Sequence, residues 1–285
     1  MAISISQSLI ANLYDMSESF MPFIWVAVAL LVLIIMQRWI HAHLHGLSLL
    51  ITGRPQWAVA LYAIILFPGV LLHEVSHWLM ATVLGVRTGS MSLIPRLKPD
   101  GSVQLGYVEY YKGKTLGPIR ESLIGGAPLI AGTAVILLIG FRVFGVTNLA
   151  AAVQTGSIDN LTLALTDIFA TNDILVWLYL LFAISNAMLP SPSDRRAWPA
   201  FLLIMVVLTA VLFLIGLDDE IMAGLAGPAA TVFGYLGTGL SMAIGINILF
   251  MLLIAALEAV ISRIRGVNVV YSNSKPPEGS KNMVV

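Results

Sequence analysis

The sequence predicts an all-α, polytopic membrane protein of about six transmembrane helices, with a short β-element in one connecting segment. Three observations carry that prediction. Only 11% of the 285 residues are charged and 58% are hydrophobic, with a mean hydropathy of +0.92, whereas soluble domains carry about 25% charged residues. The apolar residues gather into six stretches, each near the ~20 residues a bilayer requires. One connecting segment alternates with a period of two and is bounded by turn residues, as strands are.

The six stretches run 22–38, 57–85, 122–144, 174–190, 198–217 and 240–262. The first leads into 39–56, expected to be a connecting loop that holds His41, His43 and His45 at the membrane interface. The second contains Pro68-Gly69, expected to kink the helix or ease its packing. Between the second and third, Pro99-Asp100-Gly101 signals a turn. Val103, Leu105 and Tyr107 then alternate with polar or small residues, so 101–111 reads as one or two strands. The fourth stretch is short and ends in Leu189-Pro190-Ser191-Pro192. The last two are additional spans, 201–265, and the tail 266–285, with Pro276-Pro277-Glu278-Gly279, reads as disordered and cytoplasmic.

Basic residues crowd 86–121, 191–197 and the tail, while 146–173 and 218–238 contain acids and no Lys or Arg. The positive-inside rule then puts the basic segments in the cytoplasm and the acidic loops outside. Residues 39–56 fall outside on this count, against the sign of Arg38 and Arg54. No Lys or Arg precedes Arg38, so no cleaved signal peptide is expected. Net charge is zero, which argues against a nucleic-acid partner. With no cysteine, any metal must be held by His, Asp, Glu or water.

The chemistry concentrates in His73-Glu74-Val75-Ser76-His77, an H-E-x-x-H inside the second span. Positions i and i+4 share a helix face, so His73 and His77 can reach one ion, with Glu74 beside them as general base for a metal-bound water. Ionisable side chains at membrane depth are costly and mark function. A catalytic zinc needs a third protein ligand. Asp194, just past Pro190 and Pro192 at the end of the fourth span, is best placed to supply it. Glu258, the other acid inside a span, is expected to pair with Arg263 or snorkel. Asn186 reads either as a residue that orients substrate or a zinc ligand through hydrogen bonds, or as an interhelical hydrogen bond.

The chain resembles the site-2 protease family of intramembrane zinc metalloproteases. The matching residues are His73-Glu74-Val75-Ser76-His77 and Asn186-Ala187-Met188-Leu189-Pro190-Ser191-Pro192-Ser193-Asp194, with Arg195 where the family usually has Gly. Gly125-Gly126-Ala127-Pro128 is similar to the family's Gly-Pro element. The resemblance covers about 57–200 and implies that this is a three-helix metalloprotease core whose 101–111 strands match the family's membrane-associated β-element; residues 1–56 and 201–265 are unmatched. It implies one Zn2+ held by His73, His77 and Asp194, Glu74 as the catalytic base, and a membrane-anchored protein or peptide substrate such as a signalling precursor or remnant signal peptide. It also implies a multi-pass place in a bacterial or archaeal cell membrane, with the site nearer the cytoplasmic side. An extended substrate must pair its backbone, and the edge of 101–111 at Val103 and Leu105 is where β-addition is expected, with Asn186 a separate substrate-binding candidate. A catalytically inactive scaffold or transporter on the same fold is the alternative, and a zinc hydrolase acting on lipids is a third reading.

Overall fold

The fold is that of a computed structural model, which describes residues 2–93, 96–97, 103–104, 106–110, 117–214, 216, 218–271 and 282–284. Eight helices are described: α1 (Ala2–Thr52), α2 (Pro55–Val83), α3 (Pro118–Arg142), α4 (Val146–Thr155), α5 (Ile158–Phe169), α6 (Ile174–Ala187), α7 (Trp198–Leu214) and α8 (Asp218–Arg265). Four segments are long and apolar enough to cross a membrane: Met21–Thr52, Pro55–Val83, Pro118–Arg142 and Gly227–Arg265. A fifth crossing exists if α5 and α6, bent by 89° at their junction, form one broken span. Among the described residues, four or five of the six expected spans are thus matched by length and apolarity, while the fifth stretch, 198–217, includes residues outside the description. The fourth shrinks to the 14 residues of α6, about 21 Å of helix against the ~30 Å hydrocarbon core. Asp173, in the left-handed region at φ 56°, bounds it on one side and Pro190 on the other.

Residues 39–52 continue α1 instead of forming a loop. Ile40, Leu44, Leu47 and Leu50 recur at helical spacing and are all buried, so that face has a core to fill and no reason to unwind. Gly53, at φ +68°, ends the helix, and Pro55 starts α2 at its first turn. The acidic stretches expected as loops are largely helical as well, forming α4, α5 and the first half of α8.

The helices pack around two apolar clusters. One joins Leu33 of α1, Ile136 of α3, Leu181 of α6 and Leu240 of α8. The other joins Ile40 of α1, Leu66 of α2, Phe182 of α6 and Ile254 of α8. Helices α1 and α8 run in the same direction: Trp25 meets Ser241, His43 meets Glu258 and Ile51 meets Arg265, at separations of 216, 215 and 214 residues. Helices α2 and α6 also run parallel, with Ile64 against Tyr179 and His73 against Ala187. The C-terminal end of α8 therefore lies beside the α1–α2 turn, at the opposite end of α2 from the 86–117 segment. Charge counting placed those two regions on one face. The tally of lysines and arginines carries no information on which helix α8 accompanies.

The segment after α2 is a long hairpin. β1 (Thr88–Ser92) pairs antiparallel with β4 (Tyr107–Tyr110), and between them β2 (Arg96–Leu97) pairs with β3 (Val103–Gln104). The strands expected within 101–111 are β3 and β4, and their partners lie before the Pro99-Asp100-Gly101 turn, which is outside the described residues. Beyond α8, β5 (Asn268–Val270) pairs with β6 (Asn282–Val284). Tyr271 packs over Gly46 and His43 of α1 and donates to Glu258 at 2.7 Å. The Pro276-Pro277-Glu278-Gly279 stretch, on which the expectation of disorder rested, lies outside the described residues.

Candidate metal centre

His73 and His77 lie one turn apart on α2, as H-E-x-x-H requires, with their Nε2 atoms 3.0 Å apart. Asp194, in the loop after α6, faces both: Oδ2 is 3.6 Å from His73 Nε2 and Oδ1 is 3.4 Å from His77 Nε2. Among the described residues these three form a group that could hold a metal ion.

Carbonyls that helical pairing does not use aim both rings. Pro128, inside α3, has no N–H for the Ile124 carbonyl four residues back. His77 Nδ1 donates to that carbonyl at 2.8 Å. At the other ring, α6 stops at Ala187 before Pro190, and His73 Nδ1 donates to the Ala187 carbonyl at 2.6 Å. A ring nitrogen that donates to a carbonyl fixes the tautomer, leaving the other nitrogen of a neutral ring as a bare lone pair. Two such lone pairs 3.0 Å apart repel, and a carboxylate stands beside them; a cation between the three satisfies all of them. The fit is also metric, since the donors of a tetrahedral zinc lie about 3.3 Å from one another.

Asp194 is held by its own loop. The Ser191 N–H donates to its Oδ2 at 2.7 Å, and the Asp194 N–H returns to the Ser191 carbonyl at 3.1 Å. With the ring protons on Nδ1, the donor that this carboxylate receives is the Ser191 N–H, which favours its anionic form. Gly125 makes room for this loop: a Cβ there would run into the Asp194 carbonyl. Gly69 does the same between α2 and α6, where a Cβ would strike the Ala183 carbonyl oxygen. Pro68-Gly69 thus serves close approach, and the Ile64 carbonyl that Pro68 leaves without a helical donor accepts from Tyr179 at 3.4 Å.

Glu74 is buried, with His73, His77 and Asp194 as its ionisable neighbours. The hairpin covers it. A Cβ on Gly106 would lie 3.0 Å from both Glu74 Cγ and Oε1, so this glycine lets the start of β4 approach the carboxylate. Gly106 escaped the sequence reading, although a glycine beside a strand is a known mark of close backbone approach. The releasing role of Pro128 escaped it too; the signal was a proline within an otherwise helical apolar run.

The other expected site residues lie elsewhere. Asn186 is 1% exposed, and its amide donates to Asn247 Oδ1 and the Phe182 carbonyl, both at 2.9 Å. The bond to Asn247 is the interhelical hydrogen bond of its plainer reading. Val103 pairs with Leu97 along β3, and Leu105 lies outside the described residues. Glu258 pairs with His43 at 2.7 Å rather than with Arg263. His43 is stacked on Trp39, while His41 meets Tyr62 and the Asn186 carbonyl. The three histidines are thus residues of α1, with His41 and His45 both against Tyr62 and His43 against Trp39 and Glu258.

Comparison with family models, with curated proteins and with solved structures finds no match.

Proposed function

We propose that the protein is an intramembrane zinc endopeptidase that hydrolyses peptide bonds in or near the transmembrane segments of membrane-anchored proteins. One observation carries the reading: His73, His77 and Asp194 converge with both ring tautomers fixed, and Glu74 is adjacent and buried. Two imidazoles and a carboxylate, without sulfur, are a donor set suited to catalytic zinc. When bound, zinc polarises a scissile carbonyl and brings the pKa of a water to about 7. Glu74 accepts the proton of the attacking water on its carboxylate and delivers it to the departing amine nitrogen. Ser191 and the two released carbonyls keep the ligands in place during that transfer.

The substrate must be unwound to expose a peptide bond, and its backbone groups then need partners. Each strand of the hairpin has a second edge besides its paired one, and this hairpin lies against α2 at Glu74. An extended peptide added to it would pass the site. Arg87 follows α2, Arg120 lies in the first turn of α3, and Arg195 and Arg196 follow α6, all at this end. That favours a cytoplasmic placement of the site in a cell membrane.

The test is purified protein incubated with a panel of transmembrane peptides and read by mass spectrometry, comparing native enzyme with Glu74→Gln. Cleavage by the native enzyme alone, with equal zinc in both samples, is the expected result. Bound zinc with no cleavage of any peptide in the panel would count against a protease.

A further inference from the structure

A proline four residues past a helical carbonyl deprives that carbonyl of its donor. Pro190 does so to Asn186, and burial keeps water from replacing the bond. The replacement comes from α1. Gln37 Nε2 donates to the Asn186 carbonyl oxygen, and His41 Nε2 reaches the same oxygen at 3.2 Å. With its proton on Nε2, His41 accepts from the Tyr62 hydroxyl of α2 at Nδ1, so both ring nitrogens are paired. The next carbonyl along, that of Ala187, is the one that receives His73 Nδ1. Two successive peptide oxygens at the end of α6 are therefore gripped, one by α1 and the other by the metal-facing histidine of α2.

We propose that Gln37 and His41 are positioning residues of the metal centre. By holding the Asn186 carbonyl they fix the last turn of α6, and with it the anchor of the His73 ring and the origin of the loop that carries Asp194. The inference rests on reading His73, His77 and Asp194 as a metal centre. It gives α1, a helix outside the 57–200 core, a share in building the site.

The experiment measures zinc affinity by chelator competition on the full chain in detergent. The samples are native protein, Gln37→Leu, His41→Leu, the double variant, His41→Gln and Trp25→Phe, which breaks the bond from α1 to Ser241 away from the site. The double variant should bind zinc about 10–100-fold more weakly, the range for lost outer-shell partners, and each single variant should lose less. His41→Gln keeps an amide donor and should stay within about threefold of native, and Trp25→Phe should not change. The 15N resonance of the His73 ring should shift in Gln37→Leu and stay put in Trp25→Phe. If the double variant does not fold, Gln37→Leu against His41→Gln carries the comparison. Unchanged affinity in the Leu variants, with zinc lost in His73→Ala, would overturn the positioning role and leave the metal reading intact. Equal weakening in Trp25→Phe would reduce it to general helix packing. Native protein that binds no zinc overturns both.

Discussion

His77 and His73 each hang from a backbone oxygen that helical pairing does not use, and this governs what single substitutions should do. Pro128→Ala returns an N–H to the Ile124 carbonyl, which must then serve the helix and His77 Nδ1 together. Zinc affinity should fall about tenfold while thermal stability holds or rises; chelator competition and a melting curve on the same sample check both. Glu74→Gln should retain zinc and lower turnover by about 10²–10⁴-fold, the usual worth of a positioned proton-transfer group. Gly106→Ala puts a methyl 3.0 Å from Glu74 Cγ and Oε1, displacing the carboxylate without touching a ligand. Its kcat should drop with zinc content unchanged, and an unchanged kcat would show that the hairpin can yield. Of these groups the histidines and the glutamate were legible from spacing alone. Pro128 and Gly106 were not, because their roles depend on neighbours distant in sequence.

At the scale of elements, close helix approach sets the geometry. Gly69 seats α2 on the Ala183 carbonyl of α6, and Gly125 seats α3 under the Asp194 loop. In both places the obstacle is backbone, which cannot rotate away. Gly69→Ala should therefore cost about 1–3 kcal/mol of stability, read as a lower melting temperature with less zinc retained after purification. The same substitution at Gly126, which has open space around it, should do neither. Hydropathy found the helices but misjudged their ends. It stopped α1 at 38 because polar residues begin there, yet the apolar face through Leu50 continues into the core. It also lengthened α6 past the point where the missing proline N–H groups end helical pairing.

For the whole molecule, the parallel course of α1 and α8 sets the end of α8 and the 86–117 segment at opposite ends of α2. The absence of native cysteine makes this testable. Single cysteines at the exposed Gly117 and Asn268 positions should react with a membrane-impermeant maleimide from opposite sides of sealed vesicles. Labelling from one side would contradict the packing. Membrane character and the His73–Glu74–His77 face follow from composition and from a spacing of four residues along one helix, so they can be read from the chain as written. The assembled centre depends on contacts between residues 47 and 114 positions apart and on the Asp194 loop bending back toward α2 and α3. Such pairings follow from which helices lie side by side, and packing decides that: glycines permit approach at a few places, and prolines leave carbonyls there needing a partner.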